Sequence, residues 1–123
     1  MGGFGTWIYG AKHADMFAAL VPICGGGELA FIKQRLERPG IPDETPQDVE
    51  QRVQRLKDMP IWAFHGADDD VVPVDCTRNF VQKIKDAGGT KILYTEYPGV
   101  KHNSWVKAYE ESELPKWLFS QHK

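Results

Sequence analysis

The sequence is poor in cysteine and has no long apolar run. Its 123 residues include two cysteines, Cys24 and Cys76. Two cysteines without a Cys-x-x-Cys pair predict neither a disulfide framework nor a zinc knuckle. A helix that spans a membrane needs about 18 consecutive apolar residues, and no such run is present. These absences argue against a disulfide scaffold, a small zinc domain and a membrane span.

The sequence also lacks a large charge of either sign. Its formal net charge is −2, so neither a nucleic acid nor an anionic membrane is an expected partner. No basic segment followed by an apolar stretch opens the chain, and no signal peptide is expected there. The sequence does not indicate a cellular compartment. The length corresponds to one domain that is large enough to bury a core.

Apolar and helical patterns alternate along the chain. Strands are predicted at 17–23, 59–64 and 91–97. A helix is predicted before the first strand, and the others are predicted at 28–37, 45–57, 74–87, from 103 or 104 to about 109, and 113–120. Strands that alternate with helices are typical of a parallel sheet with helices packed on its faces. The sequence therefore predicts an α/β domain.

Two segments carry local signals of their own. Glycines stand at positions 2, 3, 5 and 10, and each costs about 1 kcal/mol in a helix relative to alanine. They indicate that the first helix lies very close to a neighbouring strand or follows a tight turn. The charged, proline-punctuated segment 25–58, in which Pro39 to Pro42 breaks a helix, has two open interpretations. It is either a cap insertion over a site or a surface helical pair without contact to substrate.

The second predicted strand ends in three consecutive aspartates. Asp68, Asp69 and Asp70 follow Trp62 to Gly66, and His102 follows the next strand, 33 residues after Asp69. Functional groups of parallel α/β sheets collect at the carboxyl ends of the strands, and a right-handed crossover places these two loops side by side. A carboxylate that accepts a hydrogen bond from imidazole fixes its tautomer, as a general base requires. The pattern predicts an acid and base pair.

Three motifs resemble one family. His65-Gly-x-x-Asp69-x-x-Val72-Pro73 and Pro98-Gly-x-x-His102 resemble the acid and base ends of the α/β-hydrolase triad. The similarity is to its dienelactone hydrolase, phospholipase/carboxylesterase and prolyl-oligopeptidase-like (predicted peptidase) branches. Met1-Gly-Gly-Phe-Gly-Thr-Trp7 resembles the continuation of the Gly-x-Ser-x-Gly nucleophile elbow. The resemblance covers the whole chain, 1–123. It implies the C-terminal part of an α/β-hydrolase fold, with about three parallel strands flanked by helices.

The resemblance also assigns roles to residues. It implies that Asp69 is the triad acid, that His102 is the base, and that the backbone N–H of Met1 is an oxyanion-hole donor. Asp70 is the alternative acid if the register shifts by one residue. The nucleophilic serine maps immediately before Met1 and is absent from this chain. Ser104, Ser112, Ser120, Thr6 and Thr77 do not lie in an elbow and are not expected to replace it.

The function implied is that of a serine carboxylic-ester hydrolase. A prolyl-oligopeptidase-like peptidase, or a non-catalytic fragment or pseudoenzyme, is the alternative. The expected substrate of the intact enzyme is a small ester or peptide, and the enzyme is expected to be soluble, with any signal peptide in an upstream part. No cofactor is expected. A calcium loop needs glycine at its sixth position, where counting from Asp68 gives Pro73, so no metal is expected either.

Other residues have less specific expectations. His65 is expected to be structural, bonded to nearby backbone at the end of its strand. Cys24 and Cys76 are either two thiols or a disulfide, and Trp105 is a candidate for lining the substrate pocket. Without preceding strands, segment 17–23 is an unprotected sheet edge, through which the chain is expected to self-associate.

Overall fold

The computed structural model describes residues 1–36 and 40–122. Within them, helices and two regular strands follow one another in the order α1 (Gly2–Lys12), a 3₁₀ turn (Ala14–Met16), α2 (Ala30–Leu36), α3 (Pro46–Leu56), β1 (Ile61–Gly66), α4 (Asp75–Asp86), β2 (Ile92–Tyr97), α5 (Trp105–Glu110) and α6 (Glu113–Ser120). None of these helices combines the length and the apolar character that crossing a membrane requires.

The sheet is parallel. β1 and β2 pair in register from Ile61 opposite Ile92 to Gly66 opposite Tyr97. The predicted strand 17–23 is an extended segment with two isolated parallel bridges to β1, which join Leu20 to Ile61 and Ile23 to Phe64. The number of regular strands is therefore two in the described residues, and the third predicted strand is present in irregular form.

Pro22 explains why the third strand is irregular. Four backbone hydrogen bonds of 3.0 Å still join the segment to Pro60 and β1, donated by the amides of Leu20, Trp62, Phe64 and Cys24. In a regular parallel ladder the amide of residue 22 would donate to the carbonyl of Trp62. Proline has no N–H, so that bond is missing from the middle of the ladder.

Helices cover both faces of the sheet. Side chains alternate along β1, so that Ile61 and Ala63 pack into one cluster and Phe64 into another. The larger cluster lies against α1, α3 and α4 and contains Trp7, Ala11, Leu20, Val53, Leu56, Met59, Phe80, Val81, Ile84 and Ile92. On the opposite face Phe64 packs with Ala108 of α5 and Leu114 of α6. The α/β class predicted from the sequence is confirmed, with helices on both sides of the strands.

Local sequence signals set several helix boundaries. Thr45 caps α3, since its hydroxyl accepts the N–H of Asp48 at 3.1 Å and the Asp48 carboxylate accepts the N–H of Thr45 at 2.9 Å. Pro46 occupies the first turn, where no amide is needed. The predicted bounds of α6 are confirmed. α2 begins at Ala30, while its predicted end at Glu37 and the breaker Pro39 lie outside the described residues.

Segment 25–58 takes part in the core. Ile32 of α2 packs with Phe4 and Val72 in a small cluster, and α3 contributes Val53 to the larger one. Arg52 of α3 also donates to the carbonyl of Gly27 at 2.5 Å. The cap role of this segment stays a prediction.

The start of α1 lies directly on the loop that follows the extended segment. A Cβ atom on Gly3 would overlap the carbonyl oxygen of Ile23 and lie 2.7 Å from the nitrogen of Gly25. Gly10 is similarly close to the Leu20 side chain, at 2.6 Å. The close approach predicted from the glycines of this helix is confirmed at both positions. Gly5 has no atom within 4 Å of its Cβ position.

Two substitutions in α1 are therefore expected to have opposite effects. Gly3→Ala places a methyl group against backbone atoms that have no rotamer to change, and it should lower the free energy of unfolding by about 3 kcal/mol. Gly5→Ala, the matched control two residues further along the helix, should raise it by up to about 1 kcal/mol because alanine favours the helix. Urea denaturation measures both. A neutral Gly3→Ala would contradict this packing.

An ion pair joins α4 to β2. Arg78 donates to the two oxygens of Glu96 at 2.7 and 2.6 Å, and the Tyr94 hydroxyl donates to Glu96 at 2.7 Å. The hydrogen bond from Arg78, helped by that from Tyr94, outweighs burial and lowers the pKa of Glu96 from 4.5 to about 2.

This ion pair makes stability depend on pH in the acid range. Because the pKa of Glu96 is lower in the folded state, its stabilisation is complete above pH 4.5 and is lost as the pH falls towards about 2. Glu96→Gln should cost on the order of 1 kcal/mol at neutral pH, since solvent screens a partly exposed pair. This difference in the free energy of unfolding should vanish below about pH 2, where Glu96 is protonated in both the folded and the unfolded state. Exposed Glu110 gives the control Glu110→Gln, and a cost of Glu96→Gln that is independent of pH would refute this account.

Candidate active site

The turn after β1 is built around the Asp69 carboxylate. Its Oδ1 accepts the backbone N–H groups of Val71 at 2.9 Å and Val72 at 2.8 Å. The side chain has no solvent exposure, although Asp68 and Asp70 on either side of it are exposed. Only the middle aspartate of the three therefore points inward.

The loop after β2 brings His102 to the same carboxylate. Its Nδ1 lies 2.9 Å from Asp69 Oδ2, and because a carboxylate only accepts, Nδ1–H donates. The backbone fixes the two loops to each other, since Asp68 N–H donates to the carbonyl of Val100 at 3.0 Å. Gly66 allows this approach, because a Cβ atom there would overlap the same carbonyl oxygen. The two residues predicted as acid and base are thus brought together.

Asp69 is held in its ionised form. Burial raises the pKa of its carboxyl, but the hydrogen bonds from His102, Val72 and Val71 together lower it more, and the net pKa lies below the ordinary value. A carboxylate in this state stabilises a proton on the neighbouring imidazole. His102 is 28% exposed, so its ring can meet a ligand.

A second histidine contacts Asp69 from the buried side. His65 Nε2 lies 3.1 Å from Asp69 Oδ2 and 2.9 Å from the carbonyl oxygen of Val72. Its Nδ1 lies 2.7 Å from Thr77 Oγ1, on α4. The expected contact of His65 with backbone is confirmed, but its contact with the acid was not predicted.

Cys24 also lies beside His102, which the sequence did not indicate. Its Sγ is 2.6 Å from Ser104 Oγ and 3.1 Å from the carbonyl oxygen of His102. Burial raises the pKa of the Cys24 thiol, so it remains a donor. Cys24 has a φ of +60°, unusual for a residue with a side chain. Both it and Cys76 are free thiols, which resolves the choice left open by the sequence. The one available signal was a cysteine followed by three glycines at a strand end.

A cavity of about 310 Å³ opens beside this group. Met1 and His102 line it together, and Val21, Ile23 and Trp105 add apolar walls. The indole of Trp105 meets the His102 ring edge-on, with centroids 5.5 Å apart. The expectation that Trp105 lines a pocket at the site agrees with this position.

Three potential metal ligands lie close together at the site. Cys24 Sγ, a carboxylate oxygen of Asp69 and a ring nitrogen of His102 are within 4.8 Å of one another. Both Asp69 oxygens already accept hydrogen bonds, and the Cys24 thiol is held protonated by burial. This donor set suits proton transfer better than metal binding, because a metal needs a thiolate and a free carboxylate oxygen.

Comparison with known proteins gives one consistent result. Residues 44–113 match the family described as Phospholipase/Carboxylesterase. Esterase YjfP of Escherichia coli strain K12 is 28% identical over 91% of this chain and 49% of its own length. The crystal structure of a thermostable esterase is 38% identical, with a TM-score of 0.77 over 99% of this chain and 29% of that one.

A more distant structure supports the fold alone. TT1662 from Thermus thermophilus is 16% identical, with a TM-score of 0.63 over 94% of this chain and 50% of that one. The chain spans about half the length of YjfP and less than a third of the length of the thermostable esterase. The family match covers more than half of the 123 residues. The chain therefore belongs to the phospholipase/carboxylesterase family of α/β-hydrolase esterases.

Proposed function

We propose that this chain is the C-terminal part of a serine carboxylic-ester hydrolase, in which Asp69 and His102 act with a serine directly before Met1. One observation carries the proposal: His102, bonded to Asp69 at 2.9 Å, shares a cavity with Met1. A residue attached to the nitrogen of Met1 would therefore begin at the wall of the cavity that His102 also lines. The match between residues 1–7 and the continuation of a nucleophile elbow supports the same placement.

The mechanism follows from this arrangement. The serine hydroxyl attacks the ester carbonyl carbon while His102 Nε2 takes its proton, and Asp69 stabilises the resulting imidazolium. When the tetrahedral intermediate collapses, the carbon–oxygen bond to the leaving alcohol breaks and His102 supplies the alcohol's proton. Water then attacks the acyl-serine, gives its proton to His102, and releases the acid and the serine.

The start of α1 supplies the electrostatic part of the proposal. Met1 is the N-cap of this helix of 11 residues. In the longer protein its nitrogen is an amide whose N–H can donate to the oxyanion of the intermediate. The free N–H groups and the dipole at a helix N-terminus favour the same negative charge.

The ester class rests on the relatives. YjfP and the thermostable esterase both carry the name esterase. The side chains of Val21, Ile23 and Trp105 in the cavity give an acyl or alcohol group apolar surface to pack against. Hydrolysis of a peptide bond is the competing outcome, and paired nitrophenyl ester and nitroanilide substrates distinguish the two.

Labelling with a fluorophosphonate probe tests where the nucleophile lies. The 123-residue chain should remain unlabelled, because Ser104 is buried and bonded to Cys24 and Ser112 and Ser120 lie on or next to α6. The product translated with the upstream reading frame should be labelled on the serine directly before Met1. Peptide mapping by mass spectrometry locates the label.

Two results would contradict the proposal. Strong labelling of the 123-residue chain on any serine would mean that the nucleophile lies within it. A stop codon directly upstream of Met1 would leave a non-catalytic chain. His102→Ala in the longer product is the control, and it should abolish labelling without removing the serine.

A further inference from the structure

The Asp69 carboxylate lies between two imidazoles. Oδ2 is 2.9 Å from His102 Nδ1 on the solvent side and 3.1 Å from His65 Nε2 on the buried side. His65 has no solvent exposure, so water cannot supply or accept protons at its ring. Its hydrogen-bond partners must therefore determine where its protons lie.

Thr77 determines the role of His65 Nδ1. The Thr77 hydroxyl makes a short contact with the carbonyl oxygen of Gly25, which can only accept. The hydroxyl has one proton, and this contact requires it. Thr77 Oγ1 must then accept from His65 Nδ1, 2.7 Å away. Nδ1 consequently carries a proton.

The partners of His65 Nε2 are acceptors as well. They are the carbonyl oxygen of Val72 at 2.9 Å and the ionised carboxylate of Asp69 at 3.1 Å. An unprotonated Nε2 would place its lone pair against two oxygen lone pairs in a dry interior, which costs free energy. Nε2 therefore carries a proton too, and a histidine with both protons is a cation.

We propose that His65 is a buried imidazolium that positions Asp69 for His102. The positive charge is paired with the carboxylate, as burial requires. It holds Oδ2 from behind while Val71 and Val72 hold Oδ1. It also reduces the negative potential that Asp69 exerts on His102. The positioning role rests on the proposed function, whereas the two protons on His65 do not.

The surrounding charges are compatible with a cation at this position. His65 lies opposite Glu96 in the register of β1 and β2. On α4, Arg78 is bonded to Glu96 and lies 3.5 Å from Asp75. Besides Asp69, the charged group opposite His65 on the neighbouring strand is thus the Glu96 carboxylate, which is itself paired with Arg78.

The protons of His65 can be counted directly. Long-range ¹H–¹⁵N spectra of the ¹⁵N-labelled chain distinguish protonated from unprotonated ring nitrogens. At about pH 8 an ordinary histidine, with a pKa of about 6.5, is neutral. His65 should show two protonated nitrogens there. A single protonated nitrogen would overturn the proposal.

Thr77 provides a matched pair of variants for the same count. Thr77→Ser keeps the hydroxyl and should leave both protons on His65. Thr77→Val keeps the shape and removes the acceptor of Nδ1–H, so one proton should be lost. If His65 keeps both protons in both variants, the argument that Thr77 Oγ1 must accept the Nδ1–H proton is wrong.

The positioning role has a separate readout at His102. His65→Gln keeps a donor near Asp69 but removes the charge, and the Nδ1–H proton signal of His102 should move downfield because the carboxylate becomes a stronger acceptor. His122→Gln, in the exposed C-terminal segment, is the control and should leave that signal unchanged. An unchanged signal in folded His65→Gln would overturn the positioning role.

One further variant separates this inference from the proposed function. Asp69→Asn should move the His102 Nδ1–H signal upfield or remove it, because a neutral amide accepts more weakly than a carboxylate and can instead present its NH₂ to Nδ1. If Asp69→Asn leaves His102 unchanged, the acid and base pair itself is wrong and the proposed function fails. The proton count on His65 in the unmodified chain is independent of that result.

Discussion

Asp69→Asn is expected to lower kcat by about 10³-fold or more in the longer esterase proposed above. The carboxylate accepts Nδ1–H of His102 at 2.9 Å, which leaves Nε2 as the base. An amide at this position can present its NH₂ to Nδ1 and favour the wrong tautomer. The free energy of substrate binding should change little, so the loss should fall on kcat rather than KM.

The neighbouring aspartates are matched controls for this experiment. Asp68→Asn and Asp70→Asn make the same chemical change at exposed positions on either side, and each should leave kcat within about twofold, since surface changes of this kind have small effects. His102→Ala should reproduce the loss of Asp69→Asn or exceed it, and the double variant should be no worse than His102→Ala alone. A large loss in Asp70→Asn with a small one in Asp69→Asn would transfer the acid role to Asp70.

The sequence was sufficient for the parts of the fold that local chemistry determines. Thr45 and Pro46 predict the start of α3 because the cap and the first turn are made within four residues of each other. The apolar run before Gly66 predicts β1 for a similar reason. Asp69 and His102 could be paired in advance because strand, helix and strand in succession return the chain to the same sheet edge.

Other features depend on contacts between distant residues and could not be predicted. Cys24 and Ser104 are 80 residues apart in sequence, and Thr77 and Gly25 are 52 apart. Neither pair follows a period or a motif, so only the folded chain brings them together. Pro22 is an intermediate case. The sequence shows that residue 22 has no N–H, but it does not show which carbonyl lacks a hydrogen bond as a result.

The extended segment leaves unpaired backbone groups on its outer side. In a parallel ladder alternate residues point their N–H and C=O groups to opposite sides. Leu20, Pro22 and Cys24 face β1, so Val21 and Ile23 face outward. In the described part of the chain no backbone hydrogen bond reaches the amides or carbonyls of Val21 and Ile23. An unpaired edge of this kind is a template for pairing with another chain.

Val21→Lys is therefore expected to weaken the self-association of the chain. The 13.9 kDa chain should sediment as a dimer or larger species. Exposed Tyr9 and Tyr109, which line the cavities on either side of Val21, should be covered in that species. A lysine at the edge resists strand pairing because its charge would be desolvated, and about tenfold weaker association is expected, equivalent to about 1.4 kcal/mol.

The matched control for this edge is Leu93→Lys. It introduces the same charge at a residue of β2 that is 44% exposed, and it should leave association through the Val21 edge unchanged. Analytical ultracentrifugation over a range of concentrations measures each constant. A monomeric unmodified chain with a cooperative thermal transition would contradict the prediction, because an edge that is stable alone needs no partner. Equal weakening by Leu93→Lys would place the contact on β2 instead, since its outer side is the other end of the sheet.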